Sequence, residues 1–156
     1  MDVKQTTLGT VLCIRKHLTL PEVGHVSQDC CSAILDIIDR SALTVTGPWH
    51  FVSYGLPDDT ESEFEIEFCL PVVGDGPEAL AHQAEYHTLP AFRCATRQYS
   101  GELSGLFEHG YRPLLEAIKA EGYELTGESR EVYHQWFGPG SADNVIEIQF
   151  GIRDAD

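Results

Sequence analysis

Residues 10–17 and again 92–99 carry β-branched and apolar residues at period two, the pattern of a strand. After the first of these, Cys31, Ile34, Leu35 and Ile38 fall on one helical stripe within residues 27–40. Ser27 stands where an N-cap would, and Asp29 lies near the positive end of the helix dipole. A second helix closes at Gly122 after LLEAIKAE, and Pro113 marks either its start or a kink. Two further strands follow each helix, at about 43–54 and 63–73, then 124–136 and 144–152. In the second of these, Phe64, Ile66 and Phe68 point one way. Glu63, Glu65 and Glu67 point the other, onto what reads as a solvated face.

The two sets are copies of one another. LTVTG (43–47) falls on YELTG (123–127), an offset of 80 residues. At the same offset EIEFCLPV falls on VIEIQFGI, Ile34, Leu35 and Ile38 fall on Leu114, Leu115 and Ile118, and Leu12 and Ile14 fall on Phe92 and Cys94. One β-α-β-β unit buries too little to stand alone. The pattern therefore predicts a single α+β domain over 1–156, made of repeat one (11–75) and repeat two (91–153). Joined edge to edge, they give a curved antiparallel sheet with pseudo-twofold symmetry, both helices on one face and a central ligand cleft. Residues 74–90 read as a surface linker with short helical potential.

Composition narrows the function. With 10 Lys plus Arg against 25 Asp plus Glu, the formal charge is −15. A nucleic-acid surface and an anionic membrane are both disfavoured. No signal-peptide core and no transmembrane window is present, so a cytoplasmic location is expected. The five cysteines are odd in number and include no CxxC pair, while Cys30 and Cys31 are adjacent and splay apart on a helix. His82 and His87 sit in the polar linker, and His17, His25, His50, His109 and His134 are scattered. No metal site and no cofactor is expected on this spacing.

The segment GESREVYHQWF (127–137) carries the candidate chemistry. On a strand, Glu131, Tyr133 and Gln135 share one face, and Val132, His134 and Trp136 the other. A carboxylate among aromatic rings suits a cationic or polar ligand, because charge and ring quadrupole both attract a cation. GPWHFVSYG (47–55) adds Trp49, Phe51 and Tyr54 from the first half. Cys69 and Cys94 fall on core positions, and no serine stands on a nucleophile elbow.

The segments VTGPWHFVSY and TGESREVYHQWFGP, the duplicated unit and the ending NVIEIQFGI resemble the gyrase-inhibitor-like (GyrI-like) small-molecule-binding domain, a pair of SHS2 repeats. The same domain is the effector-binding half of some AraC-type and MerR-type multidrug regulators. The resemblance implies that the glutamate of the E-x-Y pattern, here Glu131, contacts cationic aromatic ligands in the cleft, with Tyr133 beside it. Trp49, Phe51, Tyr54 and Trp136 extend that set by geometry. With no helix-turn-helix read in the chain, a stand-alone binding protein is expected, with a small molecule as partner. A protein partner is left open, and the acidic run 58–67 is the surface it would use. A branch of the resembling proteins hydrolyses cyclopropane-bearing genotoxins. Glu131 as general base is therefore the alternative reading.

Overall fold

The computed structural model describes residues 1–156. In chain order the elements are β1 (Asp2–Thr6), β2 (Thr10–Leu18), α1 (Val23–Asp39), β3 (Thr44–Val45), β4 (His50–Tyr54), β5 (Phe64–Val73), β6 (Glu85–Thr88), β7 (Phe92–Ser100), a π-helical turn (Phe107–Tyr111), α2 (Arg112–Ala120), β8 (Tyr123–Gln135) and β9 (Val145–Asp154). The chain forms two compact units, Thr7–Pro90 and Met1–Thr6 with Ala91–Asp156. Each is α+β, with antiparallel strands and one helix. No helix is long and apolar enough to cross a membrane.

In Thr7–Pro90 the strand order is β4-β5-β2-β6, with β3 also on β5. Strand β5 is thus central: Cys13 lies opposite Cys69 on one side, and Phe51 opposite Phe68 on the other. Period two sends Phe64, Ile66, Phe68, Leu70 and Val72 toward α1, where they pack with Leu12, Ile14, Ile34 and Ile37. The opposite face holds a smaller cluster of Val11, Cys13, Val52, Cys69 and Leu89. Glu67 belongs to that face and is only 1% exposed, so it is no part of the solvated surface that alternation alone predicted. Arg15, its cross-strand neighbour, donates to its Oε1 at 3.0 Å.

Several expected boundaries move for local reasons. Helix α1 begins at Val23, after a tight turn at Leu20–Glu22, and Thr19 and Glu22 form the capping box. Ser27 is inside the helix, donating to the Gly24 carbonyl at 2.7 Å. Its buried stripe is Cys30, Ile34 and Ile37, whereas Leu35 is exposed. The single strand expected over 43–54 is broken into β3 and β4 around Gly47-Pro48, since proline cannot donate to a ladder. In the second repeat β8 runs unbroken, absorbing the equivalent irregularity at Gly127 (φ +98°) within a register shift between Leu125 and Ser129. The linker holds a strand rather than a helix: β6 pairs with β2, from Thr10 opposite Thr88 to Cys13 opposite Glu85.

In the other unit the order is β1-β7-β9-β8. Strand β1 lies outside both repeats as drawn from the sequence, yet it pairs with β7 from Asp2–Thr96 to Thr6–Phe92. Ile146, Ile148, Phe150 and Ile152 of β9 pack with Leu106, Leu114 and Ile118. Before α2 the chain widens, and the Arg112 N–H donates five residues back, to Phe107 O. Gly110 makes this turn possible. A Cβ there would stand 2.6 Å from Ile148 Cδ1.

On the other face of β9, Glu147 is 5% exposed and saturated with donors. It accepts from Thr96 Oγ1 (2.8 Å), Gln149 Nε2 (2.8 Å) and His134 Nε2 (2.9 Å), and Lys4 Nζ of β1 lies 2.6 Å away. Burial pushes its pKa up, but the hydrogen bonds from Gln149, Lys4, His134 and Thr96 prevail and bring it down to about 2.

Two outcomes are expected. Gly110→Ala crowds Ile148 and lowers the free energy of unfolding by about 1–3 kcal/mol in denaturant titration. Because the folded pKa of Glu147 lies below its ordinary value of 4.5, its contribution is whole above that pH and disappears as pH falls toward 2. That contribution is at most about 3 kcal/mol, and Glu147→Gln flattens this part of the acid-unfolding profile.

Candidate functional site

Strand β8 sets the site by its alternation. Val132 and the buried Arg130 face away from α2, while Glu131 and Tyr133 face toward the helix side, where Tyr133 packs on the core under α2. The π-helical turn carries Tyr111 onto the same carboxylate. Tyr133 Oη donates to Glu131 Oε1 at 2.6 Å, and Tyr111 Oη donates to Oε2. Each oxygen of the half-buried Glu131 therefore accepts one phenolic proton. Burial, followed by the neighbouring Glu131 charge and the hydrogen bond to it, holds the Tyr111 phenol well above the ordinary tyrosine value. It stays a donor throughout the physiological range.

Each phenol leans on a further ring. Phe107 stacks on Tyr111 (centroids 6.5 Å apart, planes at 19°), and Trp136 meets Tyr133 edge-on (5.5 Å, 89°). Both outer rings are open to solvent: Phe107 is 58% exposed and Trp136 43%. The result is a continuous row, Phe107–Tyr111–Glu131–Tyr133–Trp136, with one carboxylate at its middle. Trp136 reaches Tyr133 because β8 shifts register between Tyr133 and Gln135 and ends there, which turns the indole off the strand's alternation. Arg112 caps the row at the Phe107 end, its guanidinium 5.6 Å from the ring centroid, while also pairing with Glu108 at 2.8 Å.

Of the residues marked in the sequence, the structure brings Glu131, Tyr133 and Trp136 together. Trp49, Phe51 and Tyr54 belong to the unit Thr7–Pro90 and do not share a face within it. Trp49 and Phe51 pack on the α1 side, Phe51 edge-on to Phe68 at 4.8 Å, whereas Tyr54 packs against the cluster on the opposite face. That unit also has two open grooves. One, of about 380 Å³ beside α1, includes Lys16, Asp29 and Cys30, and one of about 790 Å³ includes Gly74, Asp75 and Tyr86. Tyr111 and Phe107 went unmarked in the sequence. Their signal is present, an aromatic pair at i and i+4 just before Pro113, but only a π turn aims both at β8.

No protein-family profile and no curated protein matches the chain. Solved structures do. The crystal structure of the EcmrR C-terminal domain superposes with a TM-score of 0.75 at 22% identity, covering 99% of this chain and 98% of that one. This chain has the GyrI-like fold. In the cryo-EM structure of the EcmrR–DNA complex the match spans only 57% of the EcmrR chain (TM-score 0.74, 22% identity). SAV2435, solved bound to tetraphenylphosphonium, matches at TM-score 0.64 and 13% identity over 98% of this chain and 94% of its own. A hydrolase encoded by lin2189 from Listeria innocua matches at TM-score 0.60 and 10% identity, over 97% and 92%. At these identities the GyrI-like likeness is one of fold.

The two phenols act through hydroxyls that phenylalanine lacks. Tyr111→Phe and Tyr133→Phe each leave one Glu131 oxygen without its donor and are expected to cost about 1–2 kcal/mol in chemical denaturation. The double variant is expected to lose more than either single one.

Proposed function

We propose that this GyrI-like chain binds hydrophobic, cationic aromatic small molecules, with Glu131 as the charged contact. The observation that carries the proposal is the row Phe107–Tyr111–Glu131–Tyr133–Trp136, in which a half-buried carboxylate lies between two phenols and two open rings. A fully exposed ion pair contributes under about 1 kcal/mol, so a carboxylate used for affinity must be screened from water. The flanking rings provide that screening and present their faces to a lipophilic cation. SAV2435, which shares the fold, was solved with such a cation, tetraphenylphosphonium. The proposal rests on residues of Ala91–Asp156 and does not depend on Trp49, Phe51 or Tyr54.

The hydrolase reading has the lin2189 protein behind it as a fold relative. The geometry supports it less well. A general base must hold a water on a lone pair, and each Glu131 oxygen, already accepting from one phenol, has only its second lone pair to offer. Charge pairing needs no such vacancy, because the carboxylate keeps its charge while it accepts these bonds.

The test is a pair of titrations by calorimetry, one with tetraphenylphosphonium and one with neutral triphenylphosphine oxide. Glu131→Gln is expected to weaken the cation at least tenfold, about 1.4 kcal/mol, and to leave the neutral compound within a factor of about two. Equal losses for both ligands overturn the charge-pairing proposal. Catalytic turnover of a cyclopropane-bearing alkylator, abolished in Glu131→Gln with binding retained, would establish the hydrolase instead.

A further inference from the structure

Away from Glu131, four side chains with metal-binding atoms meet on the face of Thr7–Pro90 opposite α1. Cys13 of β2 lies directly across from Cys69 of β5, and Glu67 is two residues before Cys69 on the same face. Their Sγ, Sγ and carboxylate oxygen lie within 4.8 Å of one another, and all three residues are buried. His87 of β6 stands beside two of the three, Cys13 and Glu67. Its Nδ1 is 3.4 Å from Cys13 Sγ and 3.4 Å from Glu67 Oε2. A tetrahedral zinc ion with ordinary bond lengths holds nitrogen and sulfur about 3.6 Å apart and nitrogen and oxygen about 3.4 Å apart. The observed spacings match those edges.

The surroundings match as well. Glu67 Oε2 is buried and receives no hydrogen bond, while Oε1 is held by Arg15 at 3.0 Å. A buried carboxylate oxygen without a donor is costly unless something positive faces it. His87 Nε2 lies 2.8 Å from the Glu85 carboxylate. A proton on Nε2 leaves the Nδ1 lone pair directed at Cys13 Sγ and Glu67 Oε2. Carboxylate–imidazole support of this kind orients histidine ligands in metal sites. The second repeat supplies an internal contrast. At the same offset of 80, Glu147 replaces Glu67 and Gln149 replaces Cys69, and there the protein itself fills the carboxylate with donors. Only the first repeat leaves the carboxylate open and surrounds it with thiols and an imidazole.

We propose that Cys13, Glu67, Cys69 and His87 bind one divalent transition-metal ion, zinc by ligand type, in a closed four-coordinate site. His87, whose side chain is 27% exposed, is the side by which the ion enters. With all four positions taken by protein, the site is structural: it pins linker strand β6 to β2 and β5.

The experiment is a Co²⁺ titration of the reduced full-length protein. The expected result is one equivalent bound, with thiolate-to-cobalt charge transfer in the near ultraviolet, strong tetrahedral d–d bands in the red, and displacement by Zn²⁺. Cys13→Ser and Cys69→Ser each diminish the charge-transfer band. Cys94→Ser, which alters a buried thiol of the other unit, leaves it unchanged. Glu85→Gln weakens binding about 10–100-fold with the spectrum retained. Should the buried cysteine variants not fold, the wild-type spectrum and His87→Gln decide the matter. A wild-type spectrum without charge transfer, as a His87 merely in contact with Glu67 would give, overturns the proposal. So does a tetrahedral spectrum that survives Cys13→Ser/Cys69→Ser.

Discussion

A strand paired on both edges and covered by a helix on one face has little room for charge on the other, yet β5 and β9 each carry a glutamate there. Glu67 and Glu147 are almost wholly withdrawn from water, and each must be neutralised by what the fold brings to it. Much of the local organisation follows from that requirement. Around Glu147 the answer is hydrogen bonding, from Thr96 on β7, His134 on β8 and Gln149 on β9, together with Lys4 on β1. The N-terminal strand is thereby tied by charge to a unit that otherwise begins at Ala91. Around Glu67 the answer is divided, with Arg15 on one oxygen, the His87 imidazole beside the other and two thiols close to the carboxylate.

Glu131 obeys a different constraint, because it lies on a strand next to the central one and on the helix side. There a helix would ordinarily cover it with apolar residues. The π-helical turn before Pro113 instead presents Tyr111, whose ring packs edge-on to Phe150 in the core while its hydroxyl reaches the carboxylate. Tyr133 does the same from β8. Rings in the core and hydroxyls at the carboxylate let an anion stay near the core without an arginine or lysine to cancel it. No basic side chain shares the charge, which separates this carboxylate from Glu147, paired with Lys4.

The α+β character was legible because strands leave period-two stripes and helices leave 3.6-residue stripes, and most of the observed strands fall close to the expected ranges. Glu131 and Tyr133 were legible because strand alternation alone puts i and i+2 on one face. What local pattern missed depended on chain segments far apart. Residues 2–6 carry no strong strand pattern and become β1 only because β7 offers an edge. The linker becomes β6 for the same reason, against β2. Glu67 read as surface because alternation identifies two faces and says nothing about what covers the second.

The sequence by itself determined the two main helices, most of the long strands and one carboxylate flanked by aromatics, since these are properties of spacing along a single stretch of chain. Only the tertiary structure decided what surrounds each carboxylate. Tyr111 meets Glu131 across 20 residues and a π turn, and Cys13 meets Glu67, Cys69 and His87 across three strands. Direct contact depends on distance in space, and pairing between strands brings near what the chain holds far apart.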